Sequence, residues 1–244
     1  MNLIVDIGNS QAKLAVFNAD ELILKLTLDH QDLEDQIQDL INNPDFHLQN
    51  AIISSTAKPF PKLEDFLASH LKVIKFSHES QLNFINTYTT PATLGLDRIA
   101  LVAAASGEFP KSNVLVIDAG SCITYDFIDQ NSKYHGGAIS PGLQMRFKAM
   151  HTFTGKLPLI TESVQDSNYI GKSTKKAMQI GVFKSICYEI DGYIDDYLAD
   201  YEDLTVVLTG GDYYLLSASI KNSIFATPNF LLKGLNKILQ LNSN

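Results

Sequence analysis

The chain has 244 residues, 45% of them hydrophobic and 19% charged, which is enough to bury a substantial core in one large domain or two small ones. A formal net charge of −8 argues against a nucleic-acid surface, which needs clustered Lys and Arg, and no apolar run approaches the roughly 20 residues that span a bilayer. Cys122 and Cys187 make neither a disulfide framework nor a metal box, and the short apolar stretch before Asp6 is no secretory signal, so the expected location is cytoplasmic.

Strands are predicted at residues 3–7, 12–17 and 22–28, the last alternating Leu22, Leu24, Leu26 and Leu28. A helix over about 32–42 follows, with Leu33, Ile37, Leu40 and Ile41 on one face. Next come a short buried strand at 51–54, a helix at about 62–71 and a strand at 73–76. Residues 77–94 are polar and turn-rich and lead to Gly95-Leu-Asp-Arg98. An alanine-rich helix runs from Ile99 to Ser106 and is stopped by Gly107 and Pro110. The second half restarts with strands at 114–118, 122–128 and 133–139, then a helix at about 143–152. A long helix at about 173–199 stacks Met178, Val182, Ile186, Ile190 and Ile194, a stripe suited to core or to a subunit interface. A strand at 204–208 ends in Thr-Gly-Gly-Asp212, and a helix closes the chain at about 229–241.

The stretch Val114-Leu-Val-Ile-Asp-Ala-Gly-Ser-Cys-Ile-Thr124 stands out. An apolar run before Asp-x-Gly reads as a buried strand, and Gly120 lets the chain reverse with no side chain in the way. Backbone N–H groups in such a turn can face an anion, Ser121 and Thr124 add hydroxyls, and Asp118 can hold a cation opposite. The pattern occurs earlier as Asp6-Ile-Gly8, again between two strands. One Asp-x-Gly is common in hairpins; two, half a chain apart, suggest related halves that face each other.

Each residue also has a plainer reading. The first loop can be a hairpin with a surface lysine, Lys13, and Asp118 can merely cap a turn. Asp97 can serve as an N-cap, Thr174 can cap the long helix, and Tyr88 alone reads as surface packing. The six histidines show no metal-ligand spacing, and His70 reads as packed beside Leu67 and Leu71. Asp195-Asp196 reads as a solvated helix face. None of these last residues is assigned a function.

Taken in order, the motifs resemble the sugar kinase/Hsp70/actin superfamily and, within it, the type III pantothenate kinases. The residues that carry the resemblance are Asp6-Ile-Gly-Asn-Ser10, Tyr88-Thr-Thr-Pro91, Gly95-Leu-Asp-Arg98, Asp118-Ala-Gly-Ser-Cys-Ile-Thr124, Gly136-Gly-Ala-Ile-Ser-Pro-Gly142 and Gly171-Lys-Ser-Thr174. Ser10 and Ser121 stand where the family usually has threonine and keep a hydroxyl at each loop; Thr90 stands where it usually has asparagine. The resemblance covers nearly the whole chain.

It implies an α/β fold of two duplicated actin-like (ribonuclease H-like) βββαβαβ domains with a cleft between them, over residues 1–112 and 113–244. The implied activity is ATP-dependent phosphorylation of pantothenate to 4′-phosphopantothenate, the first step of coenzyme A synthesis. In that scheme Asp6 orients the waters of Mg²⁺, and Ile7, Gly8, Asn9, Ser10, Gln11, Ala12 and Lys13 line the ATP phosphates. Ser121 is a second ATP contact, and Asp118 is the ligand of a monovalent cation, K⁺ or NH₄⁺. Asp97 is the general base, with Arg98 beside it to keep it ionised or to grip substrate or phosphoryl group. Tyr88, Gly95, Leu96, Asp97, Arg98 and Thr174 are the pantothenate contacts, and Gly210 and Gly211 can let the nucleoside lie against the backbone. The family is dimeric, and the stripe at 178–194 is the surface expected to serve that. Two other readings compete: a kinase of another small hydroxylated metabolite, such as a sugar, and a nucleotide-binding regulator without turnover.

Overall fold

The computed structural model describes residues 1–8, 11–55, 60–162 and 168–243. By its internal contacts the chain divides into two units, Met1–Glu108 with Leu231–Asn244, and Phe109–Phe230.

The first unit opens with β1 (Asn2–Ile7), β2 (Ala12–Asn18) and β3 (Glu21–Leu28) as an antiparallel meander. The crossovers α1 (Leu33–Asn42) and α2 (Pro61–Ala68) then add β4 (Asn50–Ser55) and β5 (Lys72–Lys75) parallel to β1. The sheet order is β3-β2-β1-β4-β5. Leu3, Val5, Ile7, Leu14 and Val16 alternate onto one face and bury against Leu33, Ile37 and Leu40 of α1 and Leu63 and Leu67 of α2. Every second residue of β3 is exposed, which suits an edge strand, where charge on the free side discourages pairing with another chain.

After the two-residue β6 (Ile85–Asn86), α3 (Leu96–Glu108) begins three residues earlier than the apolar periodicity predicts. Its residues Arg98 to Ala105 are buried all round, as in a helix enclosed by protein.

The second unit repeats the layout. β7 (Asn113–Ala119), β8 (Cys122–Ile128) and β9 (Lys133–Pro141) form the meander, followed by α4 (Leu143–Thr152) and α5 (Thr174–Asp200). β10 (Leu204–Thr209) joins parallel to β7, and after the short α6 (Tyr213–Ser217), β11 (Phe225–Ala226) joins parallel to β10. The strands of this unit run β11-β10-β7-β8-β9, the mirror in name and the equal in topology of the first sheet. The two mixed sheets are those of the duplicated actin-like fold. α6 and β11 were not expected from the sequence.

Two expectations need correction. The stripe Met178, Val182, Ile186, Ile190, Ile194 is core: it packs on Leu115, Ile117, Tyr125 and Phe127 within the second unit, so it is not a free surface for a second subunit. His70 is exposed; it follows α2, where Nδ1 lies 2.9 Å from the Phe66 carbonyl and its ring tilts over Phe66 at 4.7 Å.

α7 (Phe230–Asn242) differs from the expected division at 112/113, because it packs with the first unit. Asn2 donates to Asn236 Oδ1 at 2.9 Å, and Asn236 donates to the Ala19 carbonyl at 2.8 Å. Lys233 pairs with Glu108 at 2.6 Å. These bonds, with Leu232, Leu235, Ile238 and Leu239 buried, fix the helix to that unit.

Candidate active site

The apolar run of β1 holds Asp6 at the end of the strand, directly opposite Lys13 on β2 and Ser54 on β4. Residues in register across a sheet project to the same face, so carboxylate and ammonium share one side of it. Burial raises the Asp6 pKa above its ordinary value; Lys13 opposes the shift and the negative charge of Asp97 adds to it. Asp6 and Asp97 are therefore near enough to sense one another. The turn beyond Asp6 is closed by Gly8 N–H donating to the Gln11 carbonyl at 3.0 Å. Ile7 and Ala12 are fully buried in the core, which leaves only their backbone for a nucleotide, whereas Gln11 is exposed. Asn9 and Ser10 lie outside the described residues.

His30 was not singled out for this site. Its Nε2 lies 3.0 Å from the Gly8 carbonyl, and its ring meets Phe60 edge-on at 6.0 Å. The one sequence clue is register: Leu28 pairs with Ala12, so the chain two residues beyond β3 arrives beside the turn.

Asp97 and Arg98 open α3. Asp97 Oδ1 accepts from the Arg98 N–H at 2.8 Å, so the carboxylate serves the helix start from inside the first turn. A Cβ at Gly95 would stand 2.4 Å from that oxygen, which makes the glycine a condition of this carboxylate position. Arg98 is only 4% exposed and lays its guanidinium over the Tyr88 ring at 5.6 Å from the centre. Such a contact is worth about 0.5–2 kcal/mol and holds the tyrosine in place. Tyr88 N–H donates to Asn86 Oδ1 at 3.0 Å, and His78 Nε2 lies 2.8 Å from the Leu94 carbonyl, tying down the segment before α3. The Thr90 hydroxyl is occupied locally, accepting from Thr93 Oγ1 at 2.9 Å. Leu96 is half-buried beside these residues in sequence.

In the second unit, Asp118 ends β7 between Thr124 on β8 and Thr209 on β10. Thr124 Oγ1 is buried and finds no hydrogen-bond partner among the described residues. The turn is closed by Gly120 N–H to the Cys122 carbonyl at 2.9 Å, leaving Ser121 exposed at its tip. Asp212 N–H donates to the Ala119 carbonyl at 2.9 Å, and burial raises the Asp212 pKa. Between them Gly210 has φ +98°, and a Cβ there would stand 2.3 Å from the Ala119 carbonyl and 2.4 Å from Asp118 Oδ1. Gly210→Ala is therefore expected to lower stability by about 1–3 kcal/mol through backbone strain and overpacking. Gly211→Ala, at a position with open space for a Cβ, is the control. Urea unfolding of both variants checks this, and equal midpoints for the two would contradict it.

Thr174 is the first residue of α5 and is exposed, but the N-cap is Ser173, whose hydroxyl accepts from Lys176 N at 3.3 Å. The cap role is thus taken by its neighbour. Gly211 follows Gly210 with no heavy atom near its Cβ position. Asp195 and Asp196 are exposed on α5, Asp195 accepting from Asn222 Nδ2 at 3.0 Å. Among the described residues no cluster of three or more His, Cys, Asp or Glu could hold a metal by itself, and no helix is long and apolar enough to cross a membrane.

Asp6, Gly8, Lys13, Tyr88, Gly95, Asp97 and Arg98 thus belong to the first unit, and Asp118, Ser121, Thr174, Gly210 and Gly211 to the second. Comparison with known proteins shows what this arrangement belongs to. A protein from Flavobacterium johnsoniae named Type III pantothenate kinase is 43% identical over 242 residues, covering 98% of each chain. A Campylobacter jejuni structure carrying the description of a Baf family transcriptional activator is 26% identical, with a TM-score of 0.59 and 99% of each chain covered. Glucokinase from an Antarctic psychrotroph, 12% identical, matches in fold with a TM-score of 0.54 over 98% of each chain. The sequence model described as Type III pantothenate kinase matches residues 2–196, and by that match together with the full-length relative, this chain belongs to the type III pantothenate kinase family.

Proposed function

We propose that Asp97 is the general base in the ATP-dependent phosphorylation of pantothenate to 4′-phosphopantothenate, the reaction of this family and the first step of coenzyme A synthesis. The observation that carries this is the Gly95–Asp97–Arg98 cluster: an oriented carboxylate, a buried guanidinium and an aromatic ring on one segment. The pantothenate hydroxyl gives its proton to Asp97 as its oxygen attacks the γ-phosphorus; the bond to the bridging oxygen breaks and ADP leaves. Phosphoryl transfer needs positioning and charge neutralisation more than covalent chemistry, and a carboxylate, a lysine and a guanidinium supply them. Tyr88, Gly95, Leu96, Arg98 and Thr174 contact pantothenate in this reading.

ATP binds through both loops: Asp6 to Lys13, with Asn9 and Ser10 among them, and Ser121. Asp6, whose carboxyl is raised by burial and further by the nearby charge of Asp97, suits a hydrated Mg²⁺, which supplies charge neutralisation at the phosphates. Asp118, with the buried hydroxyl of Thr124 in register beside it, suits an oxygen-coordinated monovalent cation, K⁺ or NH₄⁺. ATP as phosphoryl donor and coenzyme A synthesis as destination suit a cytoplasmic enzyme. A homodimer is supported by exposed apolar side chains on β9, α4 and α5, namely Ile139, Met145 and Tyr188, and not by the buried stripe of α5.

The test is ADP release with Mg²⁺ and pantothenate, run with and without K⁺. Release that requires pantothenate and rises with K⁺ is expected. Nucleotide binding with no pantothenate-dependent release would instead mark a regulator, and release driven by a sugar alone would mark another metabolite kinase.

A further inference from the structure

We propose that Arg146 is a positioning residue for the second phosphate loop, acting through the strap Ser140-Pro141-Gly142 and locked in place by Glu189; the inference rests on the reading that this loop binds nucleotide. Arg146 lies one turn into α4, so its side chain can fold back over the residues that lead into its own helix. Nε donates to the Pro141 carbonyl at 2.8 Å and Nη2 to Ser140 Oγ at 2.9 Å. The rest of the fork reaches α5: Nη2 meets Glu189 Oε2 at 2.6 Å and Nη1 meets Ser185 Oγ at 3.3 Å. Glu189 is held from the other side by the hydroxyl of the fully buried Tyr125 on β8, at 2.9 Å.

The strap in turn touches the loop. Gly142 N–H donates to the Ser121 carbonyl at 3.1 Å, and a Cβ at Gly142 would stand 2.1 Å from the Gly120 carbonyl. The strap is thus pressed directly on the backbone of the turn. The rigid planar fork places two bonds on the strap and two on α5 at once, which a lysine cannot do. Ion pair and fork are largely enclosed, with 17% and 24% of the two side chains exposed.

Arg146→Met keeps most of the packing and loses the fork. Glu189→Gln is isosteric and can still accept from Tyr125, but its amide presents N–H to the guanidinium and detaches it. Either variant is expected to raise the KM for ATP about tenfold, the order of a lost charge-assisted hydrogen bond, with the KM for pantothenate within about a factor of two. Should Arg146→Met fail to fold, Glu189→Gln carries the test. A lower melting temperature with unchanged ATP KM, or both KM values rising together, overturns the proposal. Ser121→Ala separates it from the reading beneath. ATP KM raised in Ser121→Ala but not in Arg146→Met rejects the strap's role alone; ATP KM unmoved in Ser121→Ala rejects the loop assignment and the inference with it.

Discussion

Asp97→Asn is expected to keep the fold and to lower kcat by about 10²–10⁴, the usual reach of general base catalysis. The fold should survive because the amide oxygen still accepts the Arg98 N–H that Asp97 Oδ1 takes at 2.8 Å, and Gly95 leaves the space in which the group sits. What is lost is the acceptor for the hydroxyl proton. A second readout separates this from a packing defect. The charge of Asp97 is one of the causes that raise the Asp6 pKa, so its removal should let Asp6 ionise at lower pH. Gly95→Ala makes the companion: it leaves the charge but forces the carboxylate off its position, since a Cβ would stand 2.4 Å from the oxygen. Its kcat should fall as well, by less than that of Asp97→Asn. Steady-state kinetics with melting curves for both variants decide the matter; an Asp97→Asn enzyme within a factor of a few of wild type excludes the proton-acceptor role.

The order of elements was readable because two periods dominate the chain. The alternation Leu22, Leu24, Leu26, Leu28 appears as half-buried positions along β3, and the i, i+4 stripe of α5 lies against the second sheet. The duplication was legible from two Asp-x-Gly turns, and each does fall at a strand end. Period says that a face is buried but not against what. That is why the α5 stripe could be read as a subunit surface, and why the destination of α7 was missed: Asn2 and Asn236 are far apart in sequence and meet only through the sheet. α6 and β11 are too short for any period, and both residues of β11 are exposed. The site residues on motifs could be named in advance. Their neighbours could not, because the contacts of His30 with the Gly8 carbonyl and of Arg146 with the Pro141 carbonyl and with Glu189 are made by the fold and leave no mark in the sequence.

Asp6 shows a conflict between stability and function that a second substitution exposes. Its carboxyl is raised above its ordinary range, mainly by burial, with Lys13 only partly offsetting this. A carboxyl whose folded pKa exceeds its unfolded value contributes stability below the unfolded pKa and loses it as pH rises through the folded pKa. At neutral pH, with no nucleotide or Mg²⁺ bound, the ionised Asp6 therefore works against the folded state. Asp6→Asn removes that charge, so its melting temperature should exceed that of wild type at pH 7–8, and the gap should close as pH falls through the carboxylate range. Activity should move the other way, with kcat/KM falling about 10²–10³-fold, as when a preorganised electrostatic group is removed from an active site. Melting curves over a pH series, alongside kinetics at a single pH, read both effects. A variant less stable than wild type at pH 8, with a difference that does not change with pH, would mean that Asp6 is held by contacts that favour its charge. A partly buried charge kept at the cost of stability would then no longer be the reason to place a cation beside it.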